Sequence, residues 1–220
     1  MNHPPKLQLA LDYFQLAPAL AMAQRVKDQV DVIEIGTPLT KASGMLAVKT
    51  IRELCPNHLI LADIKSPDVG GGEARMAYQA GADWSTVMGA AAKDTIRLAQ
   101  QEADSHSGCE LFVDLTAIPD PIPLAESWQK FGVRRLVYHK GWDEGNYSRG
   151  WEDRDRSVLT QLAEMGFNLS VAGGLTAETI PFFKDLDISV LVIGRAIREA
   201  KEPAAAALTI RKEVDRCWST

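Results

Sequence analysis

The sequence predicts a closed (β/α)8 TIM barrel formed as a single domain, residues 1–220. Three observations predict it. Eight short apolar or β-branched runs begin near Leu7, Val30, Leu59, Trp84, Glu110, Arg135, Asn168 and Val190, at intervals of roughly 22 to 33 residues. The gaps between them hold segments of helical period. The chain length of 220 residues suits eight such units, since these barrels need about 200–250 residues. Strand–helix alternation at this spacing means βαβ units on a parallel sheet. An open doubly wound sheet is the runner-up. It would usually carry a glycine-rich dinucleotide turn after its first strand, and none follows residues 7–11 here.

The elements follow in order. Leu7-Gln8-Leu9-Ala10-Leu11 is the first strand, ended by Asp12 and followed by a helix over residues 18–27. The second run, from Val30 to Gly36, carries Glu34 near its end and precedes a helix over residues 44–54. Leu59-Ile60-Leu61-Ala62 is a buried strand that gives way to Asp63-Ile64-Lys65-Ser66-Pro67-Asp68. The fourth strand starts at Trp84 and ends at Gly89, before a helix over residues 92–102. The fifth runs from Glu110 to Asp114 and leads into a proline-stiffened loop, residues 119–123. The sixth ends at His139, ahead of a helix over residues 156–165. The seventh ends at Gly173-Gly174, with a helix expected from near Thr176. The eighth ends at Gly194-Arg195, with a helix at Ala196-Ile197-Arg198.

Composition adds exclusions. Hydrophobic residues make up 46% and charged residues 24%, as in ordinary soluble globular proteins. A net charge of −5 argues against a nucleic-acid or anionic-membrane surface. No run approaches the roughly 20 apolar residues of a membrane span. The opening residues, Met1-Asn2-His3-Pro4-Pro5-Lys6, lack the apolar stretch of a signal peptide. Cys55, Cys109 and Cys217 are odd in number and scattered. Neither a disulfide framework nor a zinc cage is indicated, and a cytoplasmic setting is expected. No linker, low-complexity tract or charge block divides the chain.

Barrel enzymes keep their chemistry at the C-terminal ends of the strands. Those ends collect Asp12, Glu34, Asp63, Lys65, Asp68, Asp114, His139 and the glycine sites. Charges beside buried strands need partners, because desolvating them costs several kcal/mol. Glu34 and Asp63 are expected at equivalent heights on adjacent strands. Two carboxylates without a histidine or thiolate suit a hard cation such as Mg2+, completed by water and substrate oxygens. The other reading is that each caps the next helix or pairs with Lys65. Asp12 is equally open to a structural pairing with Lys65. Asp63 and Asp68 flank Lys65 and favour its protonated form. A cationic amine there suits stabilisation of an enediolate or carbanion oxygen better than Schiff-base chemistry. A salt-bridged structural lysine is the alternative. Gly173, Gly174 and Gly194 would let backbone N–H groups approach an anion. Loops after the seventh and eighth strands of barrels commonly bind phosphate, and Arg195 adds a fork of donors. Of four histidines, His139 alone is placed as a general acid or base, unless it is a satisfied histidine near the core.

These residues resemble the orotidine-monophosphate-decarboxylase-like superfamily, whose signature Asp-x-Lys-x-x-Asp stands here as Asp63, Lys65 and Asp68. The resemblance narrows to the subgroup of 3-keto-L-gulonate-6-phosphate decarboxylases and 3-hexulose-6-phosphate synthases. It is carried by Gln8 to Asp12, Val32 to Thr37, Leu61 to Lys65, Ala80 to Trp84, Val137 to His139, Val171 to Leu175 and Ile193 to Arg198. It implies a homodimer, Mg2+ held by Glu34 and Asp63, and Asp68 reaching into the partner's active site. It also implies a metal-stabilised 1,2-enediolate. The decarboxylases make it by losing CO2 and protonate it to L-xylulose 5-phosphate. The synthases make it from D-ribulose 5-phosphate and add it to formaldehyde.

The chain mixes the two patterns. Asp114, Ala172 and the run His139-Lys140-Gly141-Trp142-Asp143 are synthase-like. The run Gly194 to Arg198, Trp151, Glu164 to Phe167 and Arg211 to Trp218 are decarboxylase-like. Trp142 stands where decarboxylases carry an arginine that helps protonate the enediolate, with Lys140 and Arg149 as candidates to replace it. Decarboxylation of 3-keto-L-gulonate 6-phosphate, in carbohydrate or ascorbate catabolism, is the expected activity. The synthase reaction is the alternative. A sugar-phosphate sensor barrel would have no need of the acids, and a pentose-phosphate epimerase or isomerase would want several histidines.

Overall fold

The computed structural model describes residues 3–141, 143 and 150–218. Its eight parallel strands close into one barrel in sequence order. They are β1 (Lys6–Leu11), β2 (Val32–Ile35), β3 (Leu59–Ser66), β4 (Trp84–Met88), β5 (Glu110–Asp114), β6 (Arg135–His139), β7 (Asn168–Ala172) and β8 (Ile188–Ile193). The pairing Leu7 to Leu191 between β1 and β8 completes the ring. The helices are α1 (Leu16–Val26), α2 (Thr37–Ser43), α3 (Met45–Leu54), α4 (Gly70–Gln79), α5 (Lys93–Ser105), α6 (Ile122–Lys130), α7 (Asp153–Glu164), α8 (Arg195–Arg198) and α9 (Pro203–Trp218).

Period-two alternation divides each strand between two cores. On β1, Leu7, Leu9 and Leu11 join the large outer core, where buried side chains of sheet and helices meet. Ala10 joins a second cluster with Val32, Leu61, Trp84, Phe112 and Val190, the plug of the barrel. Trp84 and Phe112 pack with ring centroids 4.8 Å apart. Arg135 lies 5.3 Å from each ring. Trp84 and Arg135 open β4 and β6 and Phe112 lies midway along β5, so the three fill the N-terminal part of the barrel and leave the opposite mouth open. Truncating a fully buried leucine such as Leu9 to alanine would cost about 2–5 kcal/mol.

Three sequence expectations need correction. A further helix, α2, precedes α3, and Gly44 at φ +59 makes the break between them. Only a residue without a Cβ enters that region at no steric cost. No α-helix starts near Thr176. There the Thr176 N–H donates to Thr179 Oγ1 at 2.9 Å, and a 3-10 turn follows over Ile180–Phe183. Pro181 sits in that turn, and Phe183 packs edge-on against Trp151 at 4.8 Å. Finally, Glu34 and Asp63 are not level. Glu34 pairs with Leu61, so Asp63 stands two residues further along β3. Parallel strands of a barrel are staggered, and sequence position within each run does not reveal that stagger.

Candidate active site

The open mouth of the barrel is a cavity of ≈ 880 Å3. Asp12, Glu34, Asp63, Lys65, Asp114 and His139 all line it. So do Gly173, Gly174, Gly194 and Arg195. Every expected site residue except Asp68 is therefore gathered there from different strand ends. Asp68 is exposed beyond the end of β3, where its Oδ1 accepts the Val69 N–H at 2.8 Å.

Lys65 is the hub. Its Nζ lies 2.8 Å from both oxygens of Asp63 and 2.6 Å from Asp114 Oδ2. Its backbone has φ +45, and Val69 has φ +53. Left-handed backbone costs a side-chain-bearing residue about 1–2 kcal/mol, and such strain gathers at functional sites. The turn takes β3 out of register with β4 between Ala62 and Ser66. Asp63 also accepts the hydroxyls of Thr37 at 2.6 Å and Thr86 at 2.8 Å. Burial alone would lower the Lys65 ammonium, but the charges of Asp63, Asp114 and Glu34 outweigh it and hold the amine well above its ordinary range. The two ion pairs thus favour the charged amine, which does not suit Schiff-base chemistry.

Asp114 is buried, which disfavours its charge. The Lys65 charge and the contacts of His139 prevail and hold its carboxyl well below the usual carboxylate range. His139 Nδ1 stands 3.2 Å from Asp114 Oδ2 and 3.0 Å from Thr116 Oγ1. Glu34 behaves oppositely. Burial, then the charges of Asp63 and Asp12, push its carboxyl well above the ordinary value, against weaker help from Lys65 and Gln8. Asp12 is also raised, mainly by burial, with Arg198 opposing. Arg198 Nη2 lies 3.4 Å from Asp12 Oδ2, so Asp12 pairs with Arg198 rather than with Lys65.

The oxygen-only donor set fits a hard cation. Glu34, Asp63 and Asp12 repel one another in a buried site, and a divalent ion would relieve that repulsion. Gln8 Nε2 donates to Glu34 Oε2 at 2.6 Å, leaving buried Gln8 Oε1 without a partner. Among the described residues no group of three or more His, Cys, Asp or Glu is arranged around a metal position. Two carboxylates, with water and substrate oxygens completing the shell, is the arrangement that fits.

On the glycine side, Gly173 has φ +115, and a Cβ there would lie 2.6 Å from Lys140 O. Arg195 opens α8 directly after Gly194. Lys140 is turned away from the cavity. Its Nζ donates to Asp155 Oδ2 and Gly150 O, both at 2.6 Å, and sits over the Trp151 ring. Lys140 is therefore not placed to replace the missing arginine, while Trp142 and Arg149 lie outside the described residues. Sequence reading overlooked Gln8, Thr37, Thr86, Thr116 and Arg198. Gln8 carried a signal, a lone polar residue in an apolar strand. The threonines carried none, because threonine is common in strands and turns for unrelated reasons.

Comparison with known proteins agrees with this geometry. Residues 5–210 match the model of the orotidine 5'-phosphate decarboxylase / HUMPS family, and the chain belongs to that family. Within it, the chain falls in the 3-keto-L-gulonate-6-phosphate decarboxylase and 3-hexulose-6-phosphate synthase subgroup. It is 36% identical over 217 residues to a 3-keto-L-gulonate-6-phosphate decarboxylase of Escherichia coli, covering 97% of this chain and 96% of that one. A structure described as KGPDC from Streptococcus mutans in complex with D-R5P superposes with a TM-score of 0.94 at 35% identity, covering 99% of this chain and 100% of that one. A 3-hexulose-6-phosphate synthase structure gives 0.87 at 36% identity, over 94% and 99% of the two chains.

Proposed function

We propose that this protein is a carbon–carbon lyase that decarboxylates 3-keto-L-gulonate 6-phosphate to L-xylulose 5-phosphate and CO2. The observation that carries the proposal is the Lys65 ammonium fixed between Asp63 and Asp114 on the cavity wall. It occurs in a chain 36% identical, over nearly its full length, to a protein named for that activity. Losing CO2 from a β-keto acid leaves an electron pair on carbon, delocalised as a 1,2-enediolate. A preorganised cation stabilises that charge more than it stabilises the substrate, which is what lowers the barrier.

The phosphate is assigned to Gly173, Gly174, Gly194 and Arg195, and the sugar to the cavity between them and Lys65. Glu34 and Asp63 would hold Mg2+, which when bound supplies Lewis-acid charge for the substrate's oxygens. Asp12 orients the substrate, with Arg198 holding its carboxylate. The apolar floor of Leu61, Val137 and Val192 limits water beneath the reacting carbons. His139 delivers the proton that quenches the enediolate.

The protein is proposed to act as a cytoplasmic homodimer with Asp68 entering the partner's cavity, a reading supported by its exposure outside its own. Among the described residues no helix is long and apolar enough to cross a membrane. Mixing Asp68→Ala with Lys65→Ala subunits should restore activity if sites are shared. Verified heterodimers without activity would contradict sharing.

A second reading, addition of D-ribulose 5-phosphate to formaldehyde, is favoured by the synthase-like residues Asp114 and Ala172, both of which line the cavity. Purified protein with Mg2+ should be assayed for CO2 release from 3-keto-L-gulonate 6-phosphate and, separately, for formaldehyde consumption. Dominant CO2 release supports the proposal. Dominant formaldehyde fixation replaces it with the second reading, and silence in both refutes both substrates. Loss of turnover on chelation tests the Mg2+ assignment.

A further inference from the structure

We propose that Thr116 is a positioning residue that fixes the tautomer of His139 and presents the Nε2 nitrogen to substrate. Asp114 is ion-paired with Lys65 at 2.6 Å, which holds its carboxyl well below the usual carboxylate range, so both its oxygens only accept hydrogen bonds. Asp114 Oδ1 accepts the Thr116 backbone N–H at 2.8 Å and stands 2.5 Å from Thr116 Oγ1. Two oxygens that close need a proton between them, and only the threonine has one. The Thr116 hydroxyl is therefore donated to Asp114, and its lone pairs face elsewhere.

His139 Nδ1 lies 3.0 Å from Thr116 Oγ1 and 3.2 Å from Asp114 Oδ2. With the threonine proton already committed, both neighbours are acceptors. Nδ1 must then carry the hydrogen, in the neutral ring as well as in the cation. The opposite tautomer would set a ring lone pair against two oxygen lone pairs. Nε2 makes no hydrogen bond to a described residue, and His139 lines the cavity. The ring thus offers Nε2 as its exchangeable site, a lone pair when neutral and an N–H when charged.

The backbone supplies a second observation. Thr116 lies in a tight turn closed by the Ile118 N–H to Leu115 O bond at 3.1 Å. Ala117 in that turn has φ +61. A non-glycine residue in that region is strained. The turn is thereby bent so that the Thr116 amide and hydroxyl converge on one Asp114 oxygen while the same hydroxyl reaches His139. Asp114 alone would hold Nδ1 by one long contact. Thr116 adds the shorter one and limits rotation of the ring.

This inference deepens the reading of His139 as the proton carrier and rests on it. Its test uses imidazole 15N chemical shifts, which distinguish the tautomers of a neutral histidine. The His139 signals are assigned by their loss in His139→Asn. Wild-type protein at alkaline pH should show Nδ1 protonated and Nε2 bare. Thr116→Val keeps the side-chain volume and removes the hydroxyl. Asp114 Oδ2 remains as an acceptor at 3.2 Å, so the Nδ1–H form should stay the major one while the share of Nε2–H rises measurably, and kcat should fall about 10- to 100-fold with KM within about twofold. Thr116→Ser should restore both the spectrum and kcat. A wild-type ring protonated at Nε2 overturns the proposal without any variant, so failure of Thr116→Val to fold does not shield it. An unchanged tautomer ratio in Thr116→Val also overturns it, whether kcat falls or not. Failure of the substrate assignment appears instead as wild-type inactivity, which the 15N spectrum does not depend on.

Discussion

Removing the Lys65 charge should destabilise the fold as well as abolish activity. At 2.8 Å from Asp63, and with an effective dielectric constant of about 20, each Lys65–carboxylate attraction is about 6 kcal/mol gross. Desolvating the ammonium, whose side chain is only 20% exposed, offsets several kcal/mol of this. Lys65→Met preserves the packing of the stem and leaves Asp63 and Asp114 facing each other without a cation. Breaking a buried pair from one side costs about 3–5 kcal/mol. With an m value of about 3 kcal/mol per molar urea, the unfolding midpoint should fall by about 1–1.7 M at pH 7.

The pH dependence identifies the cause. Asp114 has a depressed folded value, so its stabilisation is present above the ordinary 3.8 and is lost as pH falls through the folded value. Lys65 is raised, so its contribution is complete below the ordinary 10.5 and is lost as pH rises through the folded value. The gap between wild type and Lys65→Met should therefore be widest between those limits and narrow below about pH 4. Urea titrations at pH 7 and pH 3, at matched protein concentration, measure it. A variant as stable as wild type at pH 7, or a gap unchanged at pH 3, would refute the reasoning. In either case the carboxylates would not depend on Lys65 for neutralisation. Activity should fall at least about 100-fold.

Other expectations follow from the same site. Glu34 is held well above its ordinary 4.5 by burial and by Asp63 and Asp12, so the folded chain binds more protons than the unfolded one and metal-free stability falls as pH rises above that value. Glu34→Gln should remove this slope, raise the metal-free melting temperature at pH 7.5 and eliminate Mg2+ binding by calorimetry. A melting temperature at or below wild type would count against it. Gly173→Ala puts a Cβ 2.6 Å from Lys140 O at φ +115. Its KM for a sugar phosphate should rise at least about tenfold, because a 1 Å displacement is enough for such losses, and a wild-type KM would remove Gly173 from the phosphate site. Gly36→Ala would place a Cβ 2.2 Å from Asp12 Oδ1, forcing that carboxylate to turn. The expected kcat is lower by about tenfold or more, and full turnover would argue that the orientation of Asp12 is immaterial.

The barrel and most of the ring of site residues are legible in the linear pattern of residues. Apolar runs of strand length separated by helical period admit few architectures, and acids at the ends of such runs are too costly to be accidental. Asp12, Glu34, Asp63, Lys65, Asp114 and His139 were legible for that reason. Tertiary structure alone decided how they pair. Asp12 meets Arg198, a residue 186 positions away, because β1 closes against β8. Glu34 sits below Asp63 because parallel strands in a barrel are staggered. Thr37, Thr86 and Thr116 acquire roles only through contacts that no local pattern encodes. Lys140, read as a candidate to deliver a proton, is drawn to Asp155 and Trp151 instead. Linear spacing reports which strand end a side chain leaves from, whereas register, backbone strain and competing partners decide where its charge arrives.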